Sequence, residues 1–281
     1  MLSRSAALSR ALESWSLTNP ILVAETITSL VYKVERTDHT AAALKLLKPD
    51  IDGDEARGGA MLAWYAGSGA ACVYGRSDEA VLMQWLDGES LGDLARSGLD
   101  ALASNILCDV VEKLHASRAT EPPPELIPLR QRFEALFVTN PAAWPHPAAD
   151  LITRAGEIAT DLFARGMPSC PLHGDIHHDN ILRSGDDWVA IDPKGLTGDP
   201  AYDYANSFQN PERADALVLS AARVDRHLAT ITERKGIDRK HLLAWAIAHT
   251  ALSGAWHIED GNPVSHQAKM LALLLPAYQA T

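Results

Sequence analysis

The sequence predicts an α+β chain of two lobes, a small N-terminal lobe on an antiparallel sheet and a larger, mainly helical C-terminal lobe. Two observations carry this prediction. Short apolar runs separated by polar turns fill the first third of the chain, which is typical of paired strands. A connector follows near residues 84–90, and beyond it the apolar residues recur with helical spacing. We therefore expect an N-terminal lobe at 1–86 and a C-terminal lobe at 87–281.

The N-terminal lobe begins with a short amphipathic helix, since Leu8, Leu12 and Trp15 fall at positions i, i+4 and i+7. The polar pair Asp38-His39 separates two apolar runs and predicts a hairpin. A helix follows that ends near Tyr65, with Asp52 or Asp54 as the expected N-cap and Gly67 as the stop. Five apolar runs are expected to form strands, at residues 21–25, 30–37, 40–47, 70–75 and 80–85.

The C-terminal lobe shows helical patterns on both sides of a loop-and-strand island at 168–200. The prolines at 122–124 predict a rigid surface loop. Everything after about Asp199 is expected to be helical, with breaks near Gly236 and Gly261. One helix face is marked by four apolar residues spaced four apart, Leu102, Ile106, Val110 and Leu114. Two further helices are expected, at about 125–139 and 148–165.

Composition narrows the classes of function. The chain has 281 residues, of which 47% are hydrophobic and 22% charged, as in ordinary globular proteins. Its net charge of −11 argues against a nucleic-acid partner, because phosphate binding needs a basic face. No apolar run approaches the ~18 residues of a membrane span. The cysteines predict neither disulfides nor a zinc site and are typical of a reducing cytoplasm, since three lie far apart, at Cys72, Cys108 and Cys170.

The densest chemistry lies in His-Gly-Asp-Ile-His-His-Asp-Asn at 173–180. Asp175 and Asn180 are five residues apart, and Asp192 follows 17 residues after Asp175, at the end of an apolar run. The turn Gly185-Asp186-Asp187 predicts a hairpin that folds Asp192 back toward Asn180. A carboxamide and a carboxylate then converge, and one acid is left free.

Phosphoryl transfer needs such an arrangement, because its transition state spreads charge over oxygens and is stabilised by positioning and by cations. Magnesium prefers oxygen ligands. Asn180 and Asp192 fit as ligands of Mg²⁺, and Asp175 fits as the group that accepts or orients the proton of the acceptor hydroxyl. A phosphoryl group would then pass directly to the acceptor hydroxyl, without a covalent enzyme intermediate.

The chain resembles a known family at this segment. His173 to Asn180 is similar to the catalytic loop of the protein-kinase-like small-molecule kinases, and Ile191-Asp192-Pro193 is similar to their metal-binding segment. Three stretches together resemble one family within this group, the aminoglycoside 6-phosphotransferase and hydroxyurea kinase family, to which the streptomycin kinases belong. These stretches are LHGDIHHDN at 172–180, AIDPKG at 190–195 and GDPAYDYAN at 198–206. The resemblance implies a two-lobed kinase-like fold that binds ATP and Mg²⁺ between the lobes.

The resemblance also implies a nucleotide site in the N-terminal lobe. Lys45 lies in an apolar strand and would bind the α- and β-phosphates, with Glu55 as its partner; the alternative is a lysine that reaches solvent. No G-x-G-x-x-G is present, so Thr28 and Ser29 in the turn after the first strand are the expected phosphate contacts. The connector resembles a purine-binding hinge, with backbone groups of Gln84 and Leu86 as the expected adenine partners.

Supporting and acceptor-binding residues are expected as well. His173 is expected to pack and hydrogen-bond the catalytic loop, and Asp203 to brace it through backbone N–H groups. Four residues are candidates for the acceptor pocket, although a solvated helix end explains the last three equally well: Asp199, Trp256, Glu259 and Asp260. The negative net charge favours a cationic hydroxyl compound as acceptor, with a streptomycin-like aminoglycoside first, because acidic side chains at the cleft mouth would attract it. The acids expected there are Asp175, Asp179, Asp199, Asp203, Glu259 and Asp260.

Three alternatives remain open at the level of sequence. The acceptor could be another small alcohol such as choline, homoserine or an amino sugar. The chain could be a non-catalytic nucleotide-binding relative, although every expected catalytic residue is present. The histidines His173, His177 and His178 could instead form the metal cluster of a phosphohydrolase, which would leave Asn180 and the spacing to Asp192 unexplained.

Overall fold

The N-terminal part of the chain forms a five-stranded antiparallel sheet in the order β1-β2-β3-β5-β4. The computed structural model describes residues 2–48, 53–145, 148–166 and 168–281. The predicted hairpin is confirmed, since β2 and β3 pair with Val31 opposite Lys45. The strands of this sheet are β1 (Thr18–Glu25), β2 (Ser29–Glu35), β3 (Ala41–Leu47), β4 (Val73–Arg76) and β5 (Ala80–Gln84).

The two faces of this sheet are covered by different helices. The first helix, α1 (Leu2–Ser14), packs on the outer face, where Leu8 and Leu12 meet the side chains of the strands, as the spacing predicted. Trp15 packs there too but lies one residue beyond the helix. The second helix, α2 (Asp54–Tyr65), lies on the other face and joins the main core. Alternation along a strand therefore directs Leu44 toward α1 and Lys45 toward the rest of the molecule.

Helix α2 begins differently from the prediction. Its N-cap is Gly53, which has a φ of 67° and offers no side-chain cap, and Asp54 is already the first helical residue. The Asp54 carboxylate pairs instead with Arg57 and Arg132. The other predicted cap, Asp52, lies outside the described residues.

The C-terminal part is mainly helical and is organised around α10 (Arg239–Glu259), which is buried on nearly all sides. None of the helices in the described ranges is long and apolar enough to cross a membrane. The other helices are α3 (Leu91–Leu94), α4 (Asp100–His115), α5 (Leu129–Arg132), α6 (Glu134–Val138), α7 (Ala148–Ala164), α8 (Asp215–Val218), α9 (Ala221–Lys235) and α11 (Ser265–Gln279).

Two helical predictions need correction. The expected helix at 125–139 is divided between α5 and α6, and a two-residue strand, β6 (Ile127–Pro128), precedes it. The residues after Asp199 do not form an α-helix but a 3₁₀ segment at Pro200–Gln209. The buried Arg223 holds that segment by donating to the backbone oxygens of Ser207, Phe208 and Asn210.

The segment at 168–200 contributes two small sheets at the junction with the N-terminal part. The predicted hairpin is confirmed as β8 (Ile181–Ser184) and β9 (Asp187–Ala190). It touches the N-terminal part where Ala71 donates to Ala190 O at 2.9 Å and Ala190 donates to Gly69 O at 2.8 Å. Strand β10 (Leu196–Gly198) lies between β6 and β7 (Cys170–Leu172).

Candidate active site

Lys45 connects the sheet, helix α2 and the segment after β9. Its Nζ donates to Asp192 Oδ1 at 2.6 Å and lies 2.5 Å from Glu55 Oε2. Glu55 is fixed further by Thr28, whose hydroxyl donates to Glu55 Oε1 at 2.5 Å. The predicted Lys45–Glu55 pair is therefore formed, and a solvent-directed lysine is ruled out, since Lys45 is only 8% exposed.

The ion pair between Lys45 and Asp192 keeps both side chains charged. Burial alone lowers the pKa of Lys45, but the carboxylates of Asp192 and Glu55 outweigh it and the pKa is raised. Burial alone raises the pKa of Asp192, but the Lys45 charge and hydrogen bond outweigh it and the pKa is lowered. Asp192 also has a φ of 60°, in the left-handed region that aspartate tolerates better than most residues. The backbone thus holds a charged carboxylate where the two parts of the chain meet.

The loop at 173–175 is braced by a buried carboxylate. Asp203 accepts from the backbone N–H of His173 at 3.0 Å and of Gly174 at 2.7 Å, and its Oδ2 lies 2.8 Å from His115 Nε2. His173 is itself buried, with its Nε2 3.0 Å from Ile191 O. Gly174 has a φ of 83°, and a Cβ there would lie 2.7 Å from Leu196, so this turn requires glycine. These contacts fix the backbone that carries Asp175.

Asp175 lies at the centre of a polar cluster. Its Oδ1 accepts from Asn206 Nδ2 at 2.9 Å, and its Oδ2 lies 3.4 Å from Asn180 Nδ2 and 3.6 Å from Lys194 Nζ. Sequence reasoning did not single out Asn206 or Lys194, although both stand inside the stretches that carried the family resemblance. One oxygen of Asp175 is thus held by Asn206, and the other has only the longer contacts with Asn180 and Lys194.

Asn180 and Asp192 fit a magnesium ion by the chemistry of their donor atoms. Asn180 Nδ2 donates to Asp175 O at 3.1 Å, so its amide oxygen remains for a metal. Asp192 uses only Oδ1 for Lys45. Two oxygen donors, completed by phosphate oxygens and water, match the preference of magnesium.

The three histidines of the loop do not form a metal cluster. The His173 ring lies 3.0 Å from Ile191 O through its Nε2, and His178 is buried beside His227 with ring centroids 5.9 Å apart. His177 lines the cavity beside Asp175 that is described below. Within the described ranges, no three His, Cys, Asp or Glu side chains are grouped as a metal site. The positions of these rings therefore give the phosphohydrolase alternative no support.

Several groups that were expected to bind the nucleotide already have hydrogen-bond partners within the protein. Thr28 is bound to Glu55, and Ser29 is buried in the turn, where its N–H donates to Thr26 Oγ1 at 2.9 Å. In the connector, Gln84 N–H donates to Cys72 O at 2.8 Å and is not left for adenine. Among the described residues, no backbone oxygen accepts the Leu86 N–H, and its contact with adenine stays a prediction.

A cavity of about 480 Å³ opens beside Asp175 and is the candidate acceptor pocket. Its walls come from the 206–215 region, α10 and α11, and Trp256 supplies an aromatic surface. Arg132 stacks over Trp256 at 4.7 Å from the ring centroid and donates to Asp54 Oδ2 at 2.6 Å, which links this wall to α2. The acids that line the cavity are Asp175, Glu212 and Asp215.

Several predicted acceptor residues lie elsewhere. Asp199 is buried, and its carboxylate accepts from Ala201 N–H and Trp245 Nε1 and lies 2.7 Å from His241 Nε2, so we assign it a structural role instead of acceptor binding. Glu259 and Asp260 are exposed at the end of α10 and do not line the cavity.

Two of the acids expected at the cleft mouth are also bound elsewhere. Asp179 pairs with Arg96 at 2.8 Å and accepts Glu212 N–H, and Asp203 is fully occupied in bracing the catalytic loop. Sequence reasoning missed Glu212 and Asp215, because no pattern within the chain marks the fold of that region.

Replacing Gly58 by alanine is expected to separate α2 from the Asp192 segment. A Cβ on Gly58 would lie 2.3 Å from Pro193 O, a distance that backbone atoms must move to relieve. The shift would weaken the contacts of Lys45 with Glu55 and Asp192. We expect kcat/KM for ATP to fall by about 10²-fold, the usual cost of a misplacement near 1 Å.

Gly156 in α7 is the matched control, because its Cβ would meet nothing within 4 Å. Gly156→Ala should keep full activity and raise the free energy of unfolding by up to ~1 kcal/mol, since alanine favours a helix. Equal activity of Gly58→Ala and wild type would show that the approach of α2 to Pro193 does not position Lys45.

Comparison with known proteins agrees with this geometry. A model of the aminoglycoside/hydroxyurea antibiotic resistance kinase family matches residues 14–261. The chain is 39% identical to streptomycin 3''-kinase of Klebsiella pneumoniae over 255 residues, which cover 89% of this chain and 92% of that enzyme. It is 29% identical to streptomycin 6-kinase of Streptomyces griseus over 275 residues, which cover 91% of this chain and 83% of that enzyme.

Solved structures show the same fold at low identity. A thermostable mutant of aminoglycoside phosphotransferase APH(4)-Ia, in a ternary complex with ADP and hygromycin B, superimposes with a TM-score of 0.67 at 14% identity, covering 95% of this chain and 97% of that chain. An ethanolamine kinase of Plasmodium vivax superimposes with a TM-score of 0.64 at 14% identity, covering 94% and 84%.

Proposed function

Because the chain belongs to the aminoglycoside/hydroxyurea antibiotic resistance kinase family, we propose that it phosphorylates a hydroxyl group of a cationic, streptomycin-like aminoglycoside. It is an ATP-dependent phosphotransferase with an alcohol group as acceptor. The observation that supports the proposed acceptor most is the cavity beside Asp175, which has acids on its wall and room for a small molecule. Ethanolamine kinase shares the fold alone, so it lends no weight to a small amino alcohol as acceptor.

The proposed mechanism divides the work between the two parts of the chain. Residues 1–86 bind the nucleotide, with Lys45 on its phosphates and the Leu86 N–H on its purine. Residues 87–281 carry catalysis and acceptor binding, and Asp175 accepts the proton of the attacking hydroxyl. Asn180 and Asp192 would hold Mg²⁺, which neutralises charge on the phosphate oxygens when bound.

The proposed acceptor site recognises positive charge. Glu212 is exposed on the cavity wall, and Asp215 lies 3.0 Å from the ring of His266 through its Oδ1. Guanidinium and ammonium groups pair with such carboxylates, and they also stack on aromatic faces such as that of Trp256. A neutral acceptor could donate hydrogen bonds to these carboxylates but would gain no charge attraction from them.

Cationic aminoglycosides are therefore expected to be phosphorylated most efficiently, and their kcat/KM is expected to fall as salt rises. Exposed charges are screened over about 8–10 Å at physiological ionic strength. The measurement is ADP release with streptomycin, choline, homoserine and a neutral cyclitol, each at several salt concentrations and with or without a magnesium chelator.

Glu212→Gln should raise the KM for streptomycin and leave the KM for ATP unchanged, whereas Glu157→Gln on the exposed face of α7 should change neither. Efficient, salt-independent phosphorylation of a neutral alcohol, with no activity on aminoglycosides, would contradict the proposed substrate. ATP binding without turnover of any acceptor would favour a non-catalytic relative.

A further inference from the structure

Lys194 lies beside Asp175 and is two residues from Asp192, the other acid of the candidate site. Its Nζ is 3.6 Å from Asp175 Oδ2, and its backbone N–H donates to His173 O at 2.7 Å, which ties its segment to the catalytic loop. Together with Asp192, two residues earlier, it also lines a cavity of about 10 Å³ behind the Lys45–Glu55 pair. Its position is thus fixed beside both Asp192 and Asp175.

Besides the Mg²⁺ that Asn180 and Asp192 would hold, a second cation beside Asp175 would stabilise the transfer. A phosphoryl group that leaves the nucleotide near Lys45 and Asp192 must pass toward Asp175 to reach the acceptor. Both ends of that route are carboxylates, whereas the transferring group spreads negative charge over its equatorial oxygens. Lys45 is engaged by Glu55 and Asp192, so it stays at the nucleotide end.

We propose that Lys194 is a catalytic residue that binds the phosphoryl group while it is transferred. The inference rests on the phosphotransferase function proposed above. A distance of 3.6 Å to Asp175 exceeds that of a hydrogen bond, and the lysine stem is flexible, so Nζ can turn to a phosphoryl oxygen at little cost. Its side chain is 23% exposed, so it is not sealed inside the core.

The step balances without a change in the protonation of Lys194. The acceptor oxygen forms a bond to the γ-phosphorus, and the bond from that phosphorus to the β–γ bridging oxygen breaks, with its electron pair leaving on ADP. The hydroxyl proton passes to Asp175 Oδ2, since Oδ1 is held by Asn206. This oxygen has only longer contacts, at 3.4 Å to Asn180 Nδ2 and 3.6 Å to Lys194 Nζ, and keeps a lone pair for the proton.

Lys194→Met tests the inference. We expect kcat to fall by about 10²-fold, as when one donor to a developing charge is removed, with little change in the melting temperature. Affinity for ADP with aluminium fluoride and acceptor, which imitates the planar phosphoryl group, should fall by a similar factor, whereas affinity for AMP-PNP should change less than about threefold. Lys194→Arg should recover a large part of both losses.

The matched control is Lys113→Met, which removes a lysine and its 2.6 Å ion pair with Asp187 at the surface and should alter neither quantity. Normal kcat in Lys194→Met would overturn the inference. Equal loss of AMP-PNP binding would reduce Lys194 to a ground-state phosphate anchor, and a lower melting temperature that accounts for the loss would make it structural. Both results also overturn the inference. Wild-type protein that phosphorylates no acceptor would contradict the proposed function instead.

Discussion

Replacing Asp175 by asparagine is expected to lower kcat by about 10²–10⁴-fold, the usual contribution of a general base, while affinity for AMP-PNP stays nearly unchanged. Asparagine keeps the shape of the side chain and can still accept from Asn206, which now bonds Asp175 Oδ1 at 2.9 Å. What it loses is the oxygen that receives the hydroxyl proton. The measurement is steady-state ADP release with a saturating acceptor, together with a binding titration of AMP-PNP.

Asp186→Asn is the control for this variant, because Asp186 is exposed at the β8–β9 turn. It removes the same charge from the same segment and should leave kcat unchanged. A near-normal kcat in Asp175→Asn would remove Asp175 from the chemistry. A parallel loss of AMP-PNP affinity would show that Asp175 supports the nucleotide site instead of the acceptor hydroxyl.

Much of the nucleotide side could be predicted from the sequence because its elements are local. Alternating apolar residues specify the strand that carries Lys45, and the next helix brings Glu55 to it. Asp175, Asn180 and Asp192 lie within 18 residues, so one hairpin turn is enough to bring them near each other. Short-range patterns contain this information.

The acceptor side could not be predicted in the same way, because its residues come from distant segments. Asp54 meets Arg132 across 78 residues, and Trp256 joins them only through tertiary packing. The acid Asp199 looked available in the sequence, yet packing against Trp245 and His241 buries it. Which acids remain open to a ligand is decided by such long-range contacts, which no local spacing encodes.

The 3₁₀ segment at Pro200–Gln209 is a related case. Its composition suits a helix, but it must place Asp203 beneath the catalytic loop and Asn206 against Asp175 at the same time. The tighter winding of a 3₁₀ helix changes which side chains share a face. The tertiary contacts of Asp203 and Asn206 are therefore made by a 3₁₀ helix, which the spacing of apolar residues alone did not predict.

The second large effect is expected for Asp203→Ala. The variant leaves the buried N–H groups of His173 and Gly174 without an acceptor and removes the partner of His115. Loss of one member of such a buried set costs about 3–5 kcal/mol in the free energy of unfolding. Because the same contacts hold the loop that carries Asp175, kcat should also fall, by up to about 10²-fold. Urea unfolding at neutral pH and ADP release measure the two effects.

The pH dependence separates this role of Asp203 from a simple packing defect. Burial alone raises the pKa of Asp203, but the hydrogen bond and charge of His115 and the backbone donor Gly174 outweigh it, so the pKa is lowered from its ordinary value of 3.8. A carboxyl with a lowered folded pKa contributes stability above its unfolded pKa and loses that contribution as the pH falls through the folded pKa. The difference in stability between wild type and Asp203→Ala should therefore be largest near neutral pH and shrink as the pH falls below about 4.

The control for this pH profile is Asp161→Ala, at an exposed position of α7, which should show no such difference. A constant difference between wild type and Asp203→Ala at every pH would mean that the carboxylate charge contributes nothing and that the variant merely leaves a cavity.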